Sequence, residues 1–407
     1  MKKVYFFIIL LFSVYLIPSL GALDKANAQW LYLSALIVIF TRSLLQIRIE
    51  RNTLLLLYLA FLVQVVISIS YTKNFYISAV DISRHLTTGI LILILISLLR
   101  NKTISFLGIS YVITTALIYE STIALKPLVY FIKENGLNFA NVNYVDIDHF
   151  KGIAGNRNIT TASIVIKIPF LLYTVICNKK KLSFVASILL MFPVLALLII
   201  NSRAALLSLG IIVVLFNVFI LVKNKKWIQV ISVNVMIALA FIGSNIILPN
   251  EGRNTATQIA SIEISNESSS NRFFLWENAV DYILKNPIIG SGIGNWKVES
   301  AAYWSSFGTS YLVPFHAHND FLEFATELGI IGGMTYLILF VIVQWKLAVY
   351  YLKSKDNKLL ILSLSFIALF VDSSLNFPFE RPIIQVMFIV LLVLAIHYTG
   401  KKDEKFV

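Results

Sequence analysis

The stretch LSFVASILLMFPVLALLII (residues 182–200) runs without a single charge, and after Asn201-Ser202-Arg203 a second, AALLSLGIIVVLFNVFILV (204–222), does the same. A helix needs about 20 mostly apolar residues to cross the hydrocarbon core of a bilayer. Outward from this pair, comparable runs recur near 4–21, 28–47, 53–71, 80–99, 103–124 and 159–177, and again near 227–248, 328–351, 359–376 and 383–399. The sequence therefore predicts an all-α polytopic membrane protein with about 12 transmembrane helices. Composition agrees: with 58% hydrophobic and 14% charged residues, the chain has too few charges to coat several soluble domains. A single cysteine, Cys177, excludes an intrachain disulfide, a CxxC redox pair and a cysteine metal cage. The net charge of +13 raises nucleic acid as a partner, but the basic residues lie in short clusters between apolar runs, a pattern of membrane topology.

Charge also orients the chain. Twelve spans put both termini on one side. With the N-terminus inside, the inner segments hold Lys2/Lys3, Arg42/Arg48/Arg51, Arg100/Lys102, Lys179/Lys180/Lys181, Lys223/Lys225/Lys226, Lys353/Lys355/Lys358 and Lys401/Lys402/Lys405. The short outer loops carry only Lys25, Lys73, Arg203 and Arg381, as the positive-inside rule requires. Both termini are expected in the cytoplasm. The start of the chain also resembles a signal peptide, with Ala26-Asn27-Ala28 as a cleavage site, but its apolar stretch is longer than such peptides carry and Asp24-Lys25 interrupts it. A retained first helix is expected.

The resulting organisation is helices 1–9 over residues 1–248 with an outer loop near 125–158, a large outer loop over 249–327, and helices 10–12 with a cytoplasmic tail over 328–407. Long loops in compact folds usually carry function. The larger one opens with a polar stretch, 252–271, then predicts a helix over 272–285 whose Phe273, Trp276, Val280, Ile283 and Leu284 recur near helical spacing. Asn286-Pro287 ends it, and Gly290-Ser291-Gly292-Ile293-Gly294 reads as a flexible turn that lacks the Lys-Ser/Thr of a phosphate-binding loop. Gly332-Gly333 suits close helix packing.

Chemistry-bearing residues concentrate at the outer rim. His316-Ala317-His318-Asn319-Asp320 precedes the tenth span. A histidine there can take a proton from a sugar hydroxyl, or simply cap the helix. Glu323 and Glu327, one turn apart, can orient a histidine or form a solvated face, and spacing favours the face. Arg203 breaks the charge pattern, and Arg272 opposes the macrodipole of the helix it begins. Two disfavoured arginines on one side suggest a phosphate, which the guanidinium fork binds bidentately. The alternative is pairing with acids such as Glu263, Glu277 or Asp281. Asn156-Arg157-Asn158, beside Gly152 and Gly155, can cap the sixth span or offer amides to a sugar or phosphate. Asp81, Arg84 and His85 read as an intramolecular pair more than a relay. The turn Asn376-Phe377-Pro378-Phe379-Glu380-Arg381 can line the same cavity. No HExxH or Cys/His cluster is present, and paired carboxylates of the kind a divalent metal wants are scarce, so neither metal nor cofactor is expected.

These pieces resemble the bacterial O-antigen ligase and O-antigen polymerase superfamily over about residues 150–395. The matching residues are Gly155-Asn156-Arg157-Asn158, Ser202-Arg203, Arg272 with Trp276 and Gly290-Ser291-Gly292, His318-Asn319-Asp320-Phe321-Leu322 with Glu327-Leu328-Gly329-Ile330-Ile331-Gly332, and Asn376-Phe377-Pro378. One departure is Arg157, where the family often has proline between the asparagines. The resemblance implies a metal-independent, GT-C-like glycosyltransferase of the bacterial inner membrane with its active site facing the periplasm. Its donor would be an undecaprenyl diphosphate-linked glycan, and its acceptor lipid A–core in a ligase or a carrier-linked glycan in a polymerase. Arg203 and Arg272 would hold the diphosphate and His318 would activate the acceptor hydroxyl. Asn156, Arg157, Asn158, His316, Glu327 and Arg381 would be available to substrate. The compact chain favours a ligase. A secondary transporter is the alternative from another class, but it would show internal repeats and ionisable groups near the midplane.

Overall fold

The computed structural model describes residues 2–17, 22–45, 52–100, 104–136, 150–224, 226–248, 272–304 and 315–403, and among them every regular element is helical. The polar stretch 252–271 lies outside the described residues. In chain order the principal helices are α1 (Lys2–Phe12), α2 (Ala22–Ile39), α3 (Thr53–Ser70), α4 (Phe75–Leu99), α5 (Phe106–Glu134), α6 (Arg157–Cys177) and α7 (Lys180–Ile200). They continue as α8 (Arg203–Val222), α9 (Trp227–Ile247), α10 (Arg272–Lys285), α11 (Trp296–Trp304), α12 (Asp320–Ser354), α13 (Asn357–Leu375) and α14 (Pro382–Gly400). The chain is thus an all-α polytopic membrane protein.

Each of the twelve apolar runs is helical, and ten, α3–α9 and α12–α14, are long and apolar enough to cross a bilayer. The first two are shorter than their sequence suggested. Helix α1 gives way to a 3-10 turn at Ser13–Leu16, where the Ser13 hydroxyl bonds the Leu10 carbonyl, and α2 ends at Phe40. Helix α5 instead overshoots: a turn at Leu125 and a helix over Lys126–Asn135 take up the start of the predicted loop 125–158.

Helix boundaries follow local chemistry. Asn52, Asn74, Ser105, Asn156 and Asp356 accept backbone N–H bonds at the starts of α3, α4, α5, α6 and α13. Asn201 adopts the left-handed conformation (φ +59°) that lets α7 stop and α8 begin two residues later. Helix α6 is the central post, buried along its whole apolar length, whereas α3, α8 and α9 turn most of their surface outward. A helix apolar all round must be sheathed by others, and α5, α13, α7 and α8 supply the sheath. Beyond Arg157 at its start its one charge, Lys167, is fully buried and neutralised by Glu120 of α5 at 2.7 Å, with further bonds to the Tyr15 hydroxyl and to Ser163. That satisfies the rule that ionisable groups at membrane depth are paired.

Helix α12 is broken at Gly329 (φ +75°), which separates a short segment, 320–328, from the long apolar span. The left-handed backbone suits glycine, and a Cβ there would land on the Ile288 carbonyl. Gly290-Ser291-Gly292-Ile293-Gly294 is consequently no flexible turn. It is a wedge: the Ser291 and Gly292 amides bond the Thr326 and Glu327 carbonyls at 3.0 and 2.9 Å, while Gly294 (φ +77°) leaves no room between itself and Asp81. Helix α10 spans the predicted residues, but its inner face is Leu275, Ala279 and Tyr282. The apolar face read from Phe273, Val280 and Leu284 points outward.

Candidate functional site

Seven helix ends meet at one end of the bundle: the starts of α4, α6, α8, α10, α12 and α14 and the finish of α13. The alternation of spans puts the bundle helices among them on a common side, so residues far apart in sequence converge there. Two small cavities lie side by side, separated by the Asn376–Arg381 turn. A cavity of about 40 Å³ is lined by Asn156, Asn158, His318, Asp372, Asn376, Phe377 and Arg381. One of about 30 Å³ is lined by Asp81, Arg84, His85, Asp320, Glu323, Glu327 and Glu380.

The first cavity gathers four of the nine site residues singled out by sequence, Asn156, Asn158, His318 and Arg381. Asn156 caps α6, its Oδ1 accepting from the Asn158 and Ile159 amides at 2.9 and 3.3 Å, and this fixes Asn158 on the cavity wall. Arg157, the first residue of α6, is exposed and lines neither cavity. Arg272 Nη2 donates to Asn376 Oδ1 at 3.3 Å, and Asn376 Nδ2 donates to Asp372 Oδ1 at 2.6 Å. Burial first, and then the cation of Arg203, pull the Arg272 guanidinium below its ordinary pKa, with Asp372 acting in the other direction. The two arginines are therefore electrostatic neighbours. Among the described residues no carboxylate stands at ion-pair distance from Arg272. Asp281 is taken by Lys285 at 2.6 Å and by the Tyr303 hydroxyl at 2.9 Å, Glu277 is exposed, and Glu263 lies outside the described residues.

His318 stands in the left-handed region (φ +52°), which for a histidine is strained by about 1–2 kcal/mol, immediately before the Asn319 cap of α12. Its ring meets the Phe377 ring edge-on at 4.9 Å. Burial, then Arg272, His316 and Arg381, push its pKa down to about 4, so the imidazole is neutral at ordinary pH. Arg381 lies over the Phe377 ring at 4.6 Å. Three polar atoms at this cavity are buried without a hydrogen-bond partner among the described residues: His318 Nδ1, Asp372 Oδ2 and Arg381 Nε. Orphaned buried polar atoms are costly, and their convergence on one concave surface marks a place for a polar ligand.

The second cavity is a charge network. His316 Nδ1 lies 2.9 Å from Glu323 Oε1 and Nε2 lies 3.3 Å from Glu380 Oε2, while the Ala317 amide donates to Glu323 Oε2 at 2.9 Å. Lys297 contacts Glu380 and stands 3.6 Å from Asp81, which Arg84 also holds at 2.8 Å. Glu327 Oε1 accepts the Trp296 amide at 3.1 Å. Glu323 and Glu327 are buried, so the solvated face expected from their spacing is not formed: the segment 315–319 and the glycine wedge cover them. Burial opposes a charged His316, but Glu380 and Glu323 outweigh it and raise its pKa. Burial works against an ionised Glu380 too, yet His316 and Lys297 bring its pKa down to about 2. His316 is thus held between carboxylates and stacked on Phe377 at 4.0 Å, whereas His318 is a free base on the cavity wall.

His316, Glu323 and Glu380 each present a ligand atom within 4.8 Å of the others, a grouping able to approach a metal ion that no HExxH or Cys/His pattern in the sequence signals. The donor set fits an ion poorly. Both imidazole nitrogens face carboxylates and Lys297 already neutralises Glu380. Sequence reading also missed Lys297 and Asp372. Lys297 had a signal, a lysine on the side that the charge rule keeps poor in cations.

A polytopic helical membrane protein with an arginine-lined polar cavity at one end of its bundle is the class that fold and site define. The O-antigen ligase family model matches residues 161–337. A candidate polysaccharide ligase of Rickettsia conorii is 29% identical over 128 residues, 30% of this chain and 29% of that protein. One of Rickettsia felis is 30% identical over 132 residues, again 30% of each. The alignment thus spans less than a third of either relative. Over residues 161–337 the chain is thus similar to the O-antigen ligase family.

Proposed function

We propose that the chain is a membrane glycosyltransferase that moves a glycan from an undecaprenyl diphosphate carrier to an acceptor sugar hydroxyl on the periplasmic face of the bacterial inner membrane, and that it is a ligase acting on lipid A–core. The observation that carries this reading is the first cavity, where unpartnered His318 Nδ1, Asp372 Oδ2 and Arg381 Nε meet beside Arg272, which among the described residues has no carboxylate at ion-pair distance. The acceptor oxygen attacks the anomeric carbon, the bond from that carbon to the phosphate oxygen breaks, and the carrier leaves as its diphosphate. Arg203 and Arg272, with Arg381, balance the charge that develops on the leaving group and so need no metal. His318 takes the hydroxyl proton. Its burial beside cations keeps it in the basic form, and a diphosphate that neutralises those cations raises its proton affinity when donor is present. Asn156 and Asn158 offer amides to the sugar. Glu327 and His316 shape the wall from behind, and Arg157 stays outside.

The decisive experiment incubates purified protein with carrier-linked glycan, with and without lipid A–core. Transfer that requires lipid A–core supports the ligase. Chain lengthening without it assigns a polymerase. A transporter, the reading from another class, gives neither product. It is disfavoured because the candidate residues gather at one end of the bundle, while Lys167 and Glu120, the charges deep in the central helices, neutralise each other.

A further inference from the structure

The segment that joins α10 to the glycine wedge exposes an unusual set of side chains. Leu284 is 75% exposed, Ile288 73% and Ile289 56%, with only Asn286 and Pro287 between them beyond Lys285. Such a patch in water is unfavourable and uncommon on a folded surface. Its position supplies the reason. The Ile330 amide donates to the Pro287 carbonyl at 2.9 Å, and Gly329 packs on the Ile288 carbonyl. The patch is therefore contiguous with the outward-facing start of the long span in α12, where Ile331 is 61% exposed and Ile330 and Met334 are exposed beside it. Those α12 side chains belong to a membrane-crossing helix and face acyl chains.

We propose that residues 284–289 form a membrane-immersed wedge, with Leu284, Ile288 and Ile289 inserted among lipid acyl chains on the cavity side of the bilayer. The occupant of this surface is lipid rather than a second protein because the patch continues a lipid-facing span without a break. Part of the backbone there is already bonded, as immersion favours. The Pro287 carbonyl is taken by Ile330, the Asn286 amide bonds the Tyr282 carbonyl at 3.0 Å, and proline carries no N–H. Lys285, 65% exposed beside the patch and paired with Asp281, can extend its ammonium to the headgroups. The wedge thereby anchors the far end of the helix that begins with Arg272. This inference concerns where the loop sits and stands or falls independently of the transfer reaction.

The test places an environment-sensitive fluorophore at Ile288→Cys, and separately at the exposed Glu277→Cys on α10, in a Cys177→Ser background. The full chain is reconstituted in phosphatidylcholine/phosphatidylglycerol nanodiscs with or without brominated phosphatidylcholine. The expected result is blue-shifted emission at position 288 with at least twofold quenching by brominated lipid and little by aqueous iodide, and the reverse at 277. Water-like emission at 288, quenched by iodide alone, overturns the proposal. So does blue-shifted emission that brominated lipid leaves unchanged, which would indicate a protein partner or a second copy. A Leu284→Cys label repeats the measurement if the Ile288 variant fails to fold.

Discussion

Arg272 points its guanidinium at Asn376, donating from Nη2 to Oδ1 at 3.3 Å, and the other end of that amide is held by Asp372 at 2.6 Å. The loop helix and the end of α13 are thereby joined at the point where the proposed diphosphate binds. Arg272→Ala is expected to lower transfer by about 10²–10³-fold, the scale for removing one charge-stabilising donor. Asn376→Ala removes only the strut and is expected to cost about 10-fold, from one lost hydrogen bond of about 1–1.5 kcal/mol. Steady-state kinetics with purified donor check both. An Asn376→Ala enzyme with unchanged kcat/KM would show that the strut does not position the arginine.

His318 sets an unusual pH dependence. Its pKa of about 4 in the free protein means that the basic form is lost only as pH falls through about 4, not through the usual 6.5. The acid limb of kcat/KM should therefore lie near 4, with activity dropping about tenfold per unit below it. Arg381→Met removes one of the depressing cations and should move that limb upward. A wild-type limb near 6.5 would exclude His318 as the titrating base.

What the sequence revealed and what it hid have physical causes. Apolar runs and lysine clusters are local signals, so the helices and their alternation could be read directly, as could the start of a loop helix at Arg272. Arg203, Arg272 and His318 stood out because each is locally unfavourable: a cation on the poor side, a cation at a helix start, a ring before a cap. Their company could not be read. Asp81, Lys297, Glu323 and Glu380 are some three hundred residues apart at the extremes, and only the packed bundle brings them together. The burial of Glu323 and Glu327 was misread for the same reason. Helical spacing tells which residues share a face, but the wedge at 290–294 that covers the face comes from another segment.

His316 and His318 are two residues apart and do different work. His316→Ala removes the ring that stands between Glu323 and Glu380 and bonds both. Breaking a buried pair costs about 3–5 kcal/mol. The expected result is a clear fall in thermal unfolding temperature in detergent, with activity lost in proportion to the unfolded fraction. His318→Ala should unfold at the wild-type temperature and yet transfer nothing. Equal unfolding temperatures for both variants would mean that His316 is no ion-pair partner.

The grouping of His316, Glu323 and Glu380 allows a direct check of metal dependence. If His316 carries its proton and Lys297 neutralises Glu380, the site has no vacancy for a divalent ion. Transfer should then be unchanged after dialysis against EDTA and unchanged by added Mg²⁺ or Mn²⁺. Loss of activity on chelation, restored by one ion, would overturn the proposed arginine-only stabilisation.

The Lys167–Glu120 pair is the most deeply buried charge in the described bundle, and its role is separable from the outer cavity. Lys167→Met strips the ammonium and leaves the Glu120 carboxylate among apolar side chains. The uncompensated charge should cost about 3–5 kcal/mol and abolish accumulation of folded protein. Removing both charges, as Lys167→Met with Glu120→Leu, also removes the desolvation penalty, so the double variant should be far closer to wild type than the single one. Size-exclusion profiles and unfolding temperatures of the three proteins measure this. If the double variant transfers glycan normally once folded, the pair is a structural clamp. If it folds but does not transfer, charge at the bundle centre takes part in the reaction.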